Sequence, residues 1–421
     1  MKKRTFIPLV GLFLYGITAS SLCFAVPDTP DSSSILNDYG LDLTIDASYL
    51  HLANPGMGQV TGMKENVLIL SAGFDWDLEK SLSLDGTSIH FNQAYIPYIH
   101  NMTYGTQIGD SISGDPSPYI PRSVHLQKFT LQKNFTDDLL EIELGKSSSG
   151  TYFADMLCNL PYGCKSPLLP FDPGIYPTWG GRMKLNISSS YSSQFGLWNR
   201  VATYPLNNGW EWNENATSQT MFYNIKYHND DQSSFLSEVE LMVYNDNAQQ
   251  INPSNAESHR GTTGLYLGVR SNLRKSEIIN NSFSIPRVDI YNQLSYSFDS
   301  SNSTGLKLTN AIGINIGSFI NSRPKDSYGL SFKLYELTDT EQRFINESFE
   351  RNDSKYSASK SQKLVQADAN IFLTDNFIVS PYIQYSWDVN NRKSYDFVTI
   401  PNDGIAFGIL GYIKIDGILG I

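Results

Sequence analysis

Apolar side chains occupy every second position in one stretch after another from about Ser123 to the end of the chain. In one such stretch Leu140, Ile142 and Leu144 alternate with Glu141 and Glu143. A period of two is that of a β-strand, whose successive side chains point to opposite faces of a sheet. The same alternation returns around residues 183–187, 239–243, 265–269, 306–316, 330–334 and 405–415. No helical pattern of comparable strength competes, so the sequence predicts an all-β protein.

Clusters of Asn, Asp and Gly separate these stretches and predict turns. Three other intervals are long, namely Asn101–Pro121, Cys158–Pro177 and Gln249–Gly261. Short turns at one rim and long loops at the other are typical of an outer-membrane barrel. About 16 strands, at roughly 25 residues per strand and connection, use the chain without a second domain. The final strand is predicted to reach the chain end through Ile413, Ile415, Leu419 and Ile421.

The polar face of these strands favours a closed barrel over a soluble sheet. Lipid offers no partner for backbone N–H and C=O groups, so a sheet can cross a membrane only when it closes on itself with apolar side chains outward. The Glu, Lys, Arg and Asn side chains then line a wet lumen, whereas a packed core would not tolerate them. A secreted β-sandwich is the alternative. We predict a closed antiparallel transmembrane β-barrel because so many strands are hard to fit into sandwiches without domain boundaries.

Composition excludes several other classes of protein. The chain has 421 residues, of which 40% are hydrophobic and 17% are charged, so it can bury a core but exceeds an ordinary soluble domain. After the first 25 residues it contains no apolar run of about 18 residues, which argues against transmembrane helices. The formal net charge of −11 repels phosphate backbones, so we expect no nucleic-acid partner.

The N terminus has the pattern of a secretory signal peptide. Three basic residues at positions 2–4 precede the uncharged stretch Thr5–Ala25, which ends in the small-x-small site Cys23-Phe24-Ala25. We therefore interpret residues 1–25 as a signal peptide and residues 26–421 as a single β-barrel domain, in which residues 26–45 form a flexible or periplasmic segment. An uncleaved anchor helix is the alternative, for which the stretch is barely long enough.

Two cysteines remain after the predicted cleavage. Cys158 and Cys164 lie six positions apart with no histidine nearby. In an oxidising compartment this spacing favours a disulfide that closes a short loop, and a metal site is the alternative. We expect the loop to fold inward and narrow the channel.

Several short motifs from Leu144 onward occur in a family-specific order. They are Leu144-Gly145-Lys146, Phe153-Ala154-Asp155, the two cysteines, Tyr176-Pro177-Thr178-Trp179-Gly180-Gly181-Arg182, Gly264-Leu265-Tyr266-Leu267-Gly268, Arg323-Pro324-Lys325-Asp326-Ser327-Tyr328-Gly329 and Ser380-Pro381-Tyr382-Ile383-Gln384-Tyr385. Together they resemble the signature of the OprB-type carbohydrate-selective porins over about residues 140–415. The departures are the terminal Ile421 and the Asn390-Asn391 pair, where the family tends to have Asn-Pro.

The resemblance implies a 16-stranded barrel in the bacterial outer membrane that passes monosaccharides, notably glucose, by passive diffusion. It implies no catalytic residues, no metal and no cofactor. Its partners would be small sugars, outer-membrane lipid and the barrel-assembly machinery, with a homo-oligomer as a further expectation. A general, unselective porin is the nearest alternative.

A pore that selects sugars needs aromatic surfaces for the apolar ring face and fixed donors and acceptors for the hydroxyls. By strand parity we assign a set of lumen residues to substrate binding: Arg182, Trp198, Arg200, Tyr204, Glu238, Glu240 and Arg270. Generic wet lining is the alternative role for each of them. Trp179, Trp210 and Trp212 lie in or beside predicted loops, where we expect girdle or rim residues.

Two further functions remain open. A barrel hydrolase would need a serine near a histidine, and His90 or His125 could supply the base across the barrel. A secreted carbohydrate binder would use the same aromatic residues on an exposed face, and it would stay soluble without detergent.

Overall fold

The computed structural model describes residues 36–98, 104, 124–136, 138–154, 177–201, 208–229, 235–252, 255–274, 277–280, 283–320, 322–392 and 396–419. Within these residues the dominant structure is a closed antiparallel barrel of sixteen strands. The first ten strands are β1 (Leu41–Asn54), β2 (Met63–Asp77), β3 (Thr87–Tyr95), β4 (Val124–Phe135), β5 (Leu140–Ser147), β6 (Thr178–Asn186), β7 (Tyr191–Val201), β8 (Ala216–His228), β9 (Leu236–Ile251) and β10 (Ser258–Arg274). A separate hairpin of β11 (Glu277–Asn280) and β12 (Phe283–Ile285) follows.

The barrel continues after this hairpin and closes on its first strand. The remaining strands are β13 (Arg287–Ser297), β14 (Leu306–Gly317), β15 (Ser327–Leu337), β16 (Ser361–Thr374), β17 (Phe377–Trp387) and β18 (Gly404–Lys414). Strand β1 pairs with both β2 and β18, so Tyr49 lies opposite Leu68 on one side and Gly411 on the other. The predicted closed barrel is therefore confirmed.

The two faces of the wall follow the predicted alternation. Leu144 and Met183 point outward and are exposed, at 59% and 47%. Glu143 and Glu240 point inward and are buried. Apolar side chains therefore cover the outside of the barrel in the region of β5, β6 and β9, and charged side chains line the inside, as expected for a wall between lipid and water.

The connections differ between the two rims, although less regularly than the sequence predicts. The rim where β1 begins and β18 ends also carries the two-residue turn between β16 and β17. The opposite rim carries the connections after β3, β5 and β15. The prediction of a long loop over Gln249–Gly261 is wrong, because β9 runs to Ile251 and β10 begins at Ser258.

Short helices interrupt the strand pattern in the described residues, and among them are the α-helices α1 (Leu78–Leu82), α2 (Asp339–Glu350) and α3 (Ile415–Leu419). None of them is long and apolar enough to cross a membrane. Helix α3 replaces the predicted end of the final strand, which stops at Lys414. The reason is that β17 begins at Phe377, opposite Ile413, so residues beyond Lys414 have no strand to pair with on that side.

The inside of the barrel is not uniformly polar. On β1 and β2 the inward side chains Leu50, Leu52, Val67 and Ile69 form an apolar cluster, which Ile96 and Tyr104 from the β3–β4 connection cover. At the rim that carries the β15–β16 connection, Ile345 and Phe349 of α2 pack on inward residues of β14–β16. Charged side chains line the inner wall from β4 to β10 and also on β13–β16, where Asp289 and Lys333 point inward.

One connection crosses the outside of this same wall. Residues 208–215, called the outer strap here, lie over the outward side chains of β3–β6. Trp212 packs on Trp179 and Phe129, with ring centroids 5.4 and 5.9 Å apart. Beneath the rings the Lys146 ammonium lies 2.9 Å from the Glu214 carboxylate, and both side chains are almost completely buried, at 0% and 2% exposure. The tryptophans expected at a girdle or rim thus belong to a packed cover on the outer wall.

Candidate functional site

Arg182 forms the centre of a charged cluster on the inner wall. It extends inward from β6 toward β5, where its Nη2 lies 3.0 Å from Glu143 Oε2 and also contacts Glu141. Its Nη1 donates to Gln194 Oε1 on β7 at 3.0 Å. Arg182 lies opposite Glu143 in the β5–β6 register, and Gln194 lies diagonally across on β7, two positions from the Arg182 partner Gly196, so the strand pairing itself brings these groups together.

Glu143 is the most heavily contacted acceptor of this cluster. Its carboxylate accepts hydrogen bonds from the Thr130 and Tyr152 hydroxyls, at 2.6 and 2.8 Å, and lies 2.7 Å from Lys128 Nζ. Burial, together with the adjacent Glu143 carboxylate, raises the pKa of the Tyr152 hydroxyl. Tyr152 therefore stays protonated and donates to Glu143, while the Arg182 guanidinium lies 4.5 Å from its ring centroid.

Trp198 lies next to this cluster but is not open to the lumen. Its ring stacks on Tyr152 at 5.7 Å and meets Phe153 edge-on at 5.8 Å, and its Nε1 donates to Ser147. Only 3% of the residue is exposed. The structure thus places Trp198 in the inner wall as the support on which Tyr152 and Phe153 rest.

Glu240 connects the wall to the segment after β5. Its Oε1 accepts from Asn224 Nδ2 at 2.6 Å and lies 3.9 Å from Lys226 Nζ. The same oxygen accepts from the backbone N–H of Ala154 at 3.2 Å. Tyr152 and Ala154 are therefore held on the inner wall by two glutamates on different strands, which fixes the start of the β5–β6 connection inside the barrel.

The other predicted lumen residues form ion pairs further along the wall. Arg200 lies 3.4 Å from Asp246, and Arg270 lies 3.6 Å from Glu238, its partner in the β9–β10 register. Of the seven residues assigned to sugar binding, the structure brings six into one stretch of wall from β6 to β10. Tyr204, Cys158 and Cys164 lie outside the described residues.

Sequence reasoning missed several members of the site. Glu141, Glu143 and Lys226 share the inward parity of the assigned residues, so the alternation alone could have identified them. Tyr152 follows β5 in a connection, where no periodicity indicates which way a side chain points. Among the described residues no cluster of His, Cys, Asp or Glu could hold a metal ion.

A second group of polar side chains lies at the rim where β1 begins and β18 ends. Ser88 Oγ lies 3.1 Å from His90 Nε2, and His90 Nδ1 is within hydrogen-bond distance of Asp75 Oδ1. His90 and Asp75 are partners in the β2–β3 register, and Ser88 is two positions before His90 on the same face.

Sequence comparison identifies one family. The family model described as carbohydrate-selective porin, OprB family, matches residues 69–409 of the chain. No curated protein sequence matches it.

Comparison with solved structures finds the same architecture. OprB of Pseudomonas putida at high pH superposes with a TM-score of 0.75 at 14% identity, covering 90% of this chain and 95% of that one. The low-pH form gives a TM-score of 0.56 at 12% identity, covering 95% and 100%. OmpF of Salmonella typhi in complex with daunomycin gives 0.54 at 11%, covering 90% and 100%. At these identities the likeness establishes the fold alone.

Proposed function

The chain belongs to the OprB family of carbohydrate-selective porins, and from that membership and the chemistry of its inner wall we propose that it passes monosaccharides such as glucose by passive diffusion. The family and the barrel place the protein in the bacterial outer membrane as a sugar channel, and they point to a channel rather than an enzyme. The preferred sugar and the passive mechanism are the parts that we propose.

One observation carries the proposal: the charged groups of the inner wall occur in opposite-charge pairs. Arg182 and Lys128 together face Glu141 and Glu143. Arg270 faces Glu238, and Arg200 faces Asp246. Because each pair is close to neutral, the wall presents donors and acceptors without a strong net field. Such a surface suits a neutral solute with many hydroxyls better than an ion. We propose Arg182, Trp198, Arg200, Tyr204, Glu238, Glu240 and Arg270 as the residues that line and shape the sugar path.

The segment after β5 supports a selective pore. Tyr152 and Ala154 are anchored to Glu143 and Glu240 on the inside of the wall, so the connection enters the lumen at its start. We propose that this connection narrows the channel and that a Cys158–Cys164 disulfide stiffens it. Thiol labelling of the folded protein before and after reduction tests the disulfide.

Single-channel recording in planar bilayers tests the main proposal. We expect glucose to reduce the ion current at concentrations where maltose has less effect, because the larger sugar fits the constriction less well. Liposome swelling should show faster entry of glucose than of maltose. Arg182→Gln should weaken the block by glucose, whereas Lys325→Gln, at an exposed turn, should leave it unchanged. Equal flux of all small solutes would instead make the protein a general porin.

Two proposals concern biogenesis and assembly. We propose cleavage after Ala25, which the N-terminal mass of the protein purified from outer membranes would show. We also propose that the barrel-assembly machinery inserts the chain and that the inserted barrels form a homo-oligomer. Cross-linking in membranes followed by mild-detergent gels tests the oligomer.

The Ser88, His90 and Asp75 arrangement favours ester hydrolysis as a second candidate function. A serine, a histidine and a carboxylate in this order are the parts of a nucleophilic hydrolase. Release of 4-nitrophenol from its acetate ester by the detergent-solubilised protein tests it. The candidate stands if Ser88→Ala abolishes a measurable rate that Ser190→Ala, at the β6–β7 turn, leaves intact, and it falls if the two variants hydrolyse equally.

A further inference from the structure

Four glycines on the inner face lie opposite an aromatic residue of the neighbouring strand whose side chain comes within 3.0 Å of the position that a Cβ atom would take. The register pairs are Gly180 with Trp198, Gly264 with Tyr244, Gly313 with Tyr291 and Gly408 with Tyr382. They occur at four separate seams of the barrel, between β6 and β7, β9 and β10, β13 and β14, and β17 and β18. Glycine within a strand is less stabilising than alanine, so its recurrence at these positions requires a packing reason.

The packing reason is that each ring occupies the space of the missing Cβ atom. A Cβ built on Gly313 would lie under 3.0 Å from the Cζ, Oη and Cε1 atoms of Tyr291. A Cβ built on Gly408 would likewise lie under 3.0 Å from three atoms of the Tyr382 side chain. Optimal carbon–carbon contact is about 3.5–4.0 Å, so an added methyl group would lift either ring by roughly 1 Å. The rings therefore lie flat across the glycines instead of projecting into the lumen.

The contact between Gly180 and the Trp198 ring also affects the charged site, because Trp198 supports Tyr152. Its indole lies against Gly180 on the next strand and also against Gly196 on its own strand. Tyr152 stacks on the indole, and the Tyr152 hydroxyl donates to Glu143. A displacement of the indole would therefore move Tyr152 and, with it, the Arg182–Glu143 cluster.

We propose that these four glycines are positioning residues of the permeation path. Each lets the opposite aromatic ring lie against the wall, and together they set the width of the lumen and the height of the groups that face a solute. This inference rests on the proposed sugar channel and deepens it, because selectivity would depend on residues that never contact the sugar.

Gly313→Ala provides the cleanest test, because the nearest atoms to the added methyl group all belong to the Tyr291 ring. The matched control is Gly317→Ala, on the same strand and the same face, where the nearest atoms lie 3.8 Å away or further. We expect Gly313→Ala to lower single-channel conductance and glucose flux by about twofold and Gly317→Ala to change neither. Adding Tyr291→Ala to Gly313→Ala should restore conductance, because the ring that the methyl group lifts is then gone.

Two results would overturn the inference: equal conductance of Gly313→Ala and Gly317→Ala, or a deficit that persists in the double variant. A wild-type protein that conducts no solute would instead overturn the proposed function. In that case the thermal unfolding midpoints of the same variants test whether the Tyr291 ring packs against Gly313. A decrease in Gly313→Ala that Tyr291→Ala cancels supports the inference, and additive decreases overturn it.

Discussion

Ion pairs lie on both faces of the wall formed by β4–β10. The pairs on the inner face are in contact with water, whereas the pair on the outer face is covered by protein. On the inside, Arg270 and Glu238 remain 28% and 25% exposed and share the lumen with water. On the outside, Lys146 and Glu214 are covered by the outer strap and by the rings of Trp179 and Trp212. A basic–acidic ion pair therefore has a different role on each side. Inside, it is a solvent-screened part of the lumen lining, and outside, it is a dehydrated contact that holds the outer strap on the wall.

The difference follows from the cost of an unpaired charge. In water an exposed pair contributes about 0–1 kcal/mol, because solvent screens it and stabilises either partner alone. In a dry site, removing one partner leaves a charge that neither lipid nor aromatic rings can solvate. Substitutions inside the barrel should therefore alter conduction more than stability, and substitutions beneath the strap should do the reverse.

Lys146→Met should have the largest effect on stability. It leaves the Glu214 carboxylate buried without its counter-ion, which typically costs about 3–5 kcal/mol. The free energy of unfolding from guanidinium titration of the detergent-folded protein measures this loss. The double variant Lys146→Met with Glu214→Gln is the control, because it removes both charges and keeps an oxygen that can accept from the Trp179 N–H. A single variant as stable as the double one would contradict the contrast between the two faces.

The barrel and the faces of its strands could be predicted because both follow from a local period of two. A residue such as Leu144 or Glu143 shows its side of the wall by parity alone, and closure follows from the cost of unpaired backbone groups in lipid. Helix α2 could not be found in this way. It forms between β15 and β16 with Thr338 as its N-cap, and the inward packing of Ile345 and Phe349 on the strands stabilises it.

The site was predictable to the extent that it lies on strands. Arg182, Glu238 and Arg270 were assigned to the lumen by parity, and the structure places them there. Tyr152 and the outer strap were not predictable, because their positions depend on contacts between residues far apart in sequence. Lys146 and Glu214 are such a pair, and parity gives no reason for a lysine on the outer face.

Glu240→Ala should have an intermediate effect, because Glu240 is buried although it lies on the inner face. The substitution removes the acceptor of the Ala154 N–H and the Asn224 amide. We expect a loss of about 2 kcal/mol in stability, as for hydrogen bonds to a charged group, and a higher, noisier single-channel current because the β5–β6 connection is released from the wall. Glu240→Gln keeps an acceptor oxygen and should conduct nearly as the wild type does. Currents that are the same in both variants would show that Glu240 does not anchor the connection.

Arg270→Gln should affect ion selectivity with little change in stability. It removes one positive charge from the lumen and leaves Glu238 uncompensated but hydrated, so the channel should become more permeable to cations. The free energy of unfolding should change by about 1 kcal/mol or less. Reversal potentials in a KCl gradient measure the shift, and Glu238→Gln should move them in the opposite direction. A large loss of stability in either variant would indicate that this pair is as dry as the one beneath the strap.

The smallest effect is expected at the rim, where Lys360 Nζ lies 2.8 Å from Asp339, which is 80% exposed, and 3.3 Å from Glu336. The hydrogen bond from Lys360 lowers the pKa of Asp339, the first residue of α2. Because the folded state has the lower pKa, the contribution is complete above the unfolded value of about 4 and is lost as the pH falls through the lowered one. Asp339→Asn should therefore cost only a few tenths of a kcal/mol at neutral pH, after allowance for screening. The difference in unfolding midpoint between wild type and variant should shrink toward zero as the pH falls below the lowered pKa of Asp339. A difference that persists in acid would mean that Asp339 stabilises α2 without its charge. The rim pair would then not be comparable with the buried pair beneath the strap and the hydrated pair in the lumen.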